Sequence, residues 1–519
     1  MNINLLSVFD MTARANADKP AIIHNGCAIS FGELEAMSKA IATKIIGELH
    51  NTRNKPIAVF LPKSIGVVAA DLAIGYSGNI FMNLDINSPA NRLKGVLENV
   101  APALIVTDAS HIEIMRSIVG ELRTPTPICN LDNVDFSAPF IDGCAIEQTL
   151  AMMIDQDPWC IINTSGSTGI PKSVVLNHRS FFDFMAFTLD AFAFGNDEII
   201  GALSPVVFDI YNHELCMLIF KSATMVLLDS SLAVFPAKLL QALHDSKASY
   251  IFWVPSIMVN IANIDLLSRI ALPHLKTAWF AGEVFPTKQF NYWKKMLPGC
   301  AFANLYGPIE ITLDCTYYII ERELDDDEPI PIGIACKNTE ILLLNDDDAL
   351  CNPCEDGEIC VRGTSLAMGY YNDPQKTAEA FTQNPLNHSY PELIYRTGDI
   401  GMLSERGEYI FKGRKDSLIK HMGYRIELSE IEHVLINKLK IVQYCCAVYN
   451  NEAKEITLFY EDDNYLPVRS IRNAILGELP KYMAPAKYHR VDSLPRNING
   501  KIDRLKLSLE VNAHNAVVV

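Results

Sequence analysis

Between residues 164 and 172 the chain reads Thr164, Ser165, Gly166, Ser167, Thr168, Gly169, Ile170, Pro171 and Lys172. Small hydroxyl and glycine residues let backbone N–H and side-chain O–H groups converge on an anion, and a lysine just beyond adds charge. The chemistry this suits is the holding of phosphate oxygens. A Walker-type loop requires a glycine directly before its Lys-Ser pair. Pro171 stands there instead, before Lys172 and Ser173, so that reading fails. A flexible Ser/Gly linker would have the same composition, but strand-like runs flank the loop on both sides. A second chemical signal is Asp209, a carboxylate in the apolar run Pro205-Val-Val-Phe-Asp209-Ile. A carboxylate there is costly to bury unless something pairs with it, and a ligand ammonium is one such partner. A helix N-cap is the other ordinary role for such an aspartate.

The elements that must position these residues follow from hydrophobic spacing. Helical periodicity runs over 5–15, 31–49, 65–75 and 111–122, with short buried strands at 57–61 and 103–107. Trp159 to Ile162 and Val174 to Leu176 read as strands around the Ser/Gly loop. The alternation continues with a strand at 224–228, a helix at 237–246 and a strand at 250–254. Strands alternating with helices predict an α/β architecture, with parallel or mixed sheets flanked by helices. After about residue 340 short alternating strands appear at 340–344, 358–362 and 408–412, a β-barrel-like part separated by acidic turns. The last hundred or so residues read as a compact α+β unit: a helix at 429–438, strands at 442–449 and 456–460, and a helix at 468–478. The boundary falls in Phe411 to Asp416, around Gly413. The predicted domains are therefore a large N-terminal one, 1–413, and a small mobile C-terminal one, 414–519.

The 519 residues are 49% hydrophobic and 20% charged, too many for one core. Net charge is −17, which disfavours nucleic acid and anionic membrane as partners. No apolar run reaches the ~18 residues of a membrane span. Residues 1–18 lack the pattern of a secretory leader. The 13 cysteines form no regular framework. Cys351 and Cys354 have CxxC spacing, but no fourth ligand completes a zinc site, so they read as free thiols. These features predict a cytoplasmic protein.

The Ser/Gly loop resembles the phosphate loop of the adenylate-forming superfamily: acyl-CoA synthetases, luciferases and amino-acid adenylation domains. Other motifs similar to that family's appear in order. They are Ile29-Ser-Phe-Gly-Glu-Leu34, Leu84-Asp85 with Pro89 and Arg92, Asn304-Leu305-Tyr306-Gly307-Pro308-Ile309-Glu310, and Gly357-Glu358 through Gly369-Tyr370. Tyr395 to Asp399, Gly413 to Asp416, Gly423 to Glu427 and Asn499 to Asp503 complete the set. The resemblance covers essentially the whole chain. The stretches Phe280 to Pro286 and Gly423 to Glu427 look particularly like D-alanine–D-alanyl carrier protein ligases. Three positions depart from the family pattern: Asn83, Ser173 and Ile309 stand for proline, glycine and threonine.

The resemblance implies ATP-dependent attack of an amino-acid carboxylate on the α-phosphate, giving aminoacyl-AMP and pyrophosphate, then transfer to a phosphopantetheine thiol. Lys501 would reach from the small domain between carboxylate and phosphate. Glu310 and Thr168 would hold Mg²⁺, and Lys172 would meet the outer phosphates. Thr164 to Gly169 would cradle the phosphates. In the segment Asn304 to Ile309, Tyr306 would stack on adenine and Asn304 would contact its amine. Asp399, with Arg414 nearby, would hold the ribose. Asp416 would be the hinge, and Gly423 would line the pantetheine path. Asp209 would pair with the substrate ammonium. By motif spacing the rest of the pocket would be Ile210, His213, Phe252, Trp279, Ala281, Leu305, Leu313 and Asp314, which suits a small or compact amino acid, with Asp314 and His213 leaving open a polar side chain or a displaced amine, as in a β-amino acid. The expected acceptor is a separate carrier protein or coenzyme A, and the expected state is a monomer. Two other readings share the motifs: a carboxylate–CoA ligase for an aryl or fatty acid, and an inactive adenylate fold.

Overall fold

The computed structural model describes residues 4–164, 171–415, 418–442, 444–461, 466–496 and 502–513. Two large sheets carry most of it. The first has seven strands. Pro56–Phe60, Ile80–Asn83, Leu104–Thr107 and Ile128–Asn130 run parallel, and Pro158–Thr164 joins Ile80–Asn83 in the same sense. Lys172–Asn177 and Gly369–Tyr370 close one edge antiparallel. The second sheet has nine strands around a parallel centre of Ile199–Ala202, Thr224–Leu227, Tyr250–Trp253, Thr277–Phe280 and Ala301–Tyr306.

Two helices lie buried between these sheets. In Ile65–Tyr76 every residue from Val67 onward is buried, and in Asp209–Lys221 so is every residue from Ile210 to Ile219. A helix apolar all round has this place to go. The apolar run 199–211 is thus two elements, a strand to Ala202 and a helix from Asp209. The motif at 29–34 is a helix start in physical terms. Ser30 Oγ accepts from Glu33 N–H at 3.2 Å and Glu33 Oε2 accepts from Ser30 N–H at 2.8 Å, a reciprocal cap on Phe31–Glu48.

A third, wholly antiparallel sheet of five strands follows: Thr339–Leu344, Asp356–Gly363, Phe381–Gln383, Leu393–Leu403 and Tyr409–Arg414. The fold is α/β, with a curled half-barrel sheet beside the two larger ones. The strand Tyr409–Arg414 pairs Arg414 with Asp399. Beyond it stand a hairpin, Leu418–His421 with Tyr424–Glu427, and a three-stranded sheet covered by Leu428–His433 and Val468–Leu476. This last part has its own core, including Ile426, Ile431, Leu458, Ile471 and Met483. The helix expected over 429–438 is an α-helix to His433 followed by a π turn, Val434–Lys438.

Candidate active site

The carboxyl ends of strands from both large sheets face one cavity, the usual place for a ligand in an open α/β sheet. Phe252, Val254, Ala281 and Gly282 come from the nine-stranded sheet, and Asn83, Leu84 and Thr164 from the seven-stranded one. Val207, Phe208, Asp209 and Ile210 enter at the start of the buried helix. Gly307, Pro308, Ile309, Leu313 and Asp314 form another wall. The hairpin closes the cavity with Lys420, Gly423, Tyr424 and Arg425.

Asp209 is the first residue of its helix, and Phe208 is the cap position. Asp209 Oδ1 accepts from the Ile210 N–H at 2.8 Å. Burial raises its pKa to about 6; the Ile210 N–H and Lys420 oppose that shift, and Glu310 adds to it. Asp314 stands 4% exposed, and burial followed by the charge of Asp209 pushes its carboxyl far up. Burial lowers the Lys420 pKa, partly countered by Asp399, Asp209 and Asp314. Its Nζ lies over the Tyr306 ring, 6.0 Å from the centroid.

Glu310 is fully buried. Tyr370 donates its hydroxyl to Oε1 at 2.8 Å, and Arg425 Nη1 binds Oε2 at 2.6 Å. Burial alone would raise this carboxyl; the Arg425 charge and the hydrogen bonds overcome that and hold it below its ordinary value. Asp399 is engaged in the same way. Tyr306 donates to Oδ2 at 2.6 Å, and Arg414 Nη1 binds Oδ1. The Asn304 amide donates to Pro331 O at 2.8 Å. Lys172 Nζ reaches Glu427 Oε1 at 2.7 Å, across 255 positions of sequence. Thr164 Oγ1 is buried with no hydrogen-bond partner among the described residues.

A scan of known families decides what this assembly belongs to: residues 9–371 match the model described as AMP-binding enzyme. The chain belongs to that family. Among curated relatives, it is similar to a D-alanine–D-alanyl carrier protein ligase from Bacillus thuringiensis (strain Al Hakam), 28% identical over 529 residues, covering 98% of this chain and 100% of the relative. It is also similar to a delta-poly-L-ornithine synthetase from Acinetobacter baumannii, 28% identical over 514 residues; that match covers 97% of this chain but 36% of the synthetase. The fold matches the Vibrio cholerae adenylation domain AlmE, solved with glycyl-adenosine-5′-phosphate, at a TM-score of 0.85, 20% identity and 98% coverage of both chains. The AMP-binding enzyme is thus an adenylate-forming one.

In this AMP-binding enzyme the structure gathers part of the predicted pocket. Asp209, Ile210, Phe252, Ala281, Leu313 and Asp314 line the cavity; His213, Trp279 and Leu305 do not. His213 and Trp279 are fully buried and stacked at 5.0 Å. The His213 Nε2 shares a 2.8 Å hydrogen bond with the Tyr250 hydroxyl, and burial drops its pKa to about 3, so the ring is neutral. Leu305 is buried on the strand Ala301–Tyr306. Motif spacing predicts these three in the pocket, but it does not tell which side of an element meets the cavity. Ser165 to Gly169, Asp416 and Lys501 lie outside the described residues.

Sequence reasoning missed Lys420 and the role of Arg425. A lysine and an arginine flank the turn of a short hairpin whose neighbours Ile419 and Ile426 are apolar. Charged residues alternating with apolar ones on a strand pair were the available signal. Also missed was Asp71, fully buried on Ile65–Tyr76. Its Oδ2 accepts from Tyr211 at 2.7 Å and Asn83 at 3.0 Å. It ties the buried helix that bears Asp209 to the strand that ends at Asn83, one of the positions departing from the family pattern.

Cys351 and Cys354 are free thiols, as are the other eleven cysteines. Among the described residues no group of three or more His, Cys, Asp or Glu side chains is placed to hold a metal ion, and no helix is long and apolar enough to cross a membrane.

Proposed function

We propose that the protein activates the carboxylate of a small amino acid with ATP, forming aminoacyl-AMP and pyrophosphate, and passes the acyl group to the phosphopantetheine thiol of a separate carrier protein. Asp209 carries this reading. Its carboxylate opens into the cavity from a helix start, among apolar walls, with its own helix's N–H as its hydrogen-bond donor. A substrate ammonium is the partner that such a group calls for. The names of two relatives support the reading: one is a carrier-protein ligase, and the other was solved as an adenylation domain with an aminoacyl adenylate.

In this scheme Thr164 to Gly169 and Lys172 bind the phosphates, Tyr306 and Asn304 the adenine, and Asp399 with Arg414 the ribose. Lys501 bridges carboxylate and α-phosphate. The Glu310 carboxylate and the Thr168 hydroxyl are hard oxygen donors of the type that Mg²⁺ takes together with phosphate. Glu310 fits that role once Arg425 withdraws, since Arg425 now holds one of its oxygens. Mg²⁺ supplies neutralisation of phosphate charge.

The scheme needs two placements of the small domain, 414–519, against the large one, 1–413, with Asp416 as the hinge. The described placement puts the hairpin in the cavity and Gly423 at its wall, where a thiol arm would pass. The protein acts as a cytoplasmic monomer in this proposal.

The test is amino-acid-dependent ATP–pyrophosphate exchange over amino acids, aryl acids and fatty acids. Exchange with an amino acid, lost in Lys501→Ala and in Asp209→Ala, is the expected result. Exchange with amine-free acids alone would replace the proposal with a carboxylate–CoA ligase.

A further inference from the structure

Asp314 has no evident structural duty. Its side chain is 4% exposed and lines the cavity. Among the described residues its carboxyl makes no hydrogen bond or ion pair; its backbone oxygen accepts from Cys336 Sγ at 3.7 Å. The charges it feels are Asp209, which repels it, and Lys420, which attracts it. A buried polar group without a partner is costly, and protein interiors seldom keep one without use.

The backbone holds Asp314 rigidly. After the turn Ile309–Ile311 the chain reverses through Thr312 and Leu313, both with positive φ (53° and 69°). It then presses on Gly307, where an added Cβ would come within 2.4 Å of Leu313 O and 2.5 Å of the Asp314 Cα. The backbone of Asp314 is therefore held against the cavity wall at Gly307. Phe252 and Ala281 bound the same space, and the stacked His213 and Trp279 fill the volume behind Phe252. These packed rings close the space on that side.

We infer that the amino acid activated here carries a short side chain ending in a hydrogen-bond donor, a hydroxyl or an ammonium, that Asp314 accepts while Asp209 takes the α-ammonium. This rests on the proposed role of Asp209. It goes further by giving the second acid of the pocket to the substrate's side chain. The site then reads two donors with two carboxyl groups.

The experiment is pyrophosphate exchange with the full chain, comparing shape-matched pairs: serine against 2-aminobutyrate, threonine against valine, and 2,3-diaminopropionate against both, each in L and D forms. A donor-bearing member is expected to exceed its matched apolar partner by more than tenfold in kcat/KM, because a site built to bond a hydroxyl or amine rejects the analogue that lacks it. Serine or 2,3-diaminopropionate as the better substrate tells hydroxyl from ammonium. Asp314→Leu should erase or invert the ratio, and Asp314→Asn should keep part of it for a hydroxyl. Thermal melting and ATP-analogue binding by both variants show whether the fold is intact. A best substrate without a side-chain donor, or a ratio unchanged in Asp314→Leu, overturns the inference and leaves the adenylation reading standing. Failure of exchange with every amino acid overturns both.

Discussion

Ile309 lines the cavity beside Pro308, where the family pattern has a threonine. If that hydroxyl contacts a phosphate oxygen, one neutral hydrogen bond is missing, worth about 1 kcal/mol. Ile309→Thr is therefore expected to raise kcat/KM for exchange by up to about tenfold; an unchanged rate would show that the position does not touch the reacting phosphate. Asp209 gives a pH dependence with a defined sign. Burial raises its pKa to about 6, while Lys420 and the Ile210 N–H oppose that and Glu310 supports it; Asp314 faces it as a second acid. Below pH 6 the group is protonated and offers no charge to a substrate ammonium. The KM for the amino acid should fall as pH rises from about 5 to 7, with a midpoint near 6, and Asp209→Asn should flatten that profile. Such a profile follows from steady-state exchange at a series of pH values.

At the scale of elements, the helices Ile65–Tyr76 and Asp209–Lys221 meet through Asp71. Burial raises the Asp71 pKa to about 7, against the hydrogen bonds of Asn83 and Tyr211. The folded state therefore binds this proton more tightly than the unfolded chain, whose aspartate titrates near ~3.9. Its contribution is complete below about pH 4 and is lost as pH rises to about 7, a change on the order of a few kcal/mol. Asp71→Asn should melt with a smaller drop between pH 5 and 7.5 than the parent protein. Glu214, raised to about 7 by burial, titrates with the same sign, so part of the slope will remain. An identical slope in the variant would mean that Asp71 is ionised in the fold.

Across the whole molecule, the C-terminal part touches the rest largely through polar pairs. Arg92 meets Glu430, Lys172 meets Glu427, Asn91 meets Glu478 and Arg425 meets Glu310. Tyr424 also packs against Phe208. An interface of this character can part and re-form, unlike a shared apolar core. Gly423 makes a close approach. It has φ +82°, and a Cβ there would lie 2.8 Å from Val254 Cγ1 and 3.3 Å from Phe208 Cε2. Gly423→Ala should reduce thioester formation by tenfold or more while exchange falls by less than threefold. Separate assays of the two half-reactions check this, and an equal loss in both would show that the hairpin serves each alike.

The residues themselves determined the local elements. The spacing over 5–15 gives the helix Leu5–Ala15, and Ser30 with Glu33 caps the next one because the interacting groups are three residues apart. They also marked Asp209 as a carboxylate in search of a partner, from a run of a few neighbours. What faces the cavity was a different matter. His213 and Asp314 are both buried, yet one stacks behind the wall and the other opens into the space. Periodicity reports only that a side chain is inside. Arg425 reaches Glu310 across 115 positions, and Lys172 reaches Glu427 across 255. Only the packed sheets and the placed hairpin bring such groups within hydrogen-bond range, because contacts of that separation depend on how whole elements sit against one another and leave no trace in local spacing.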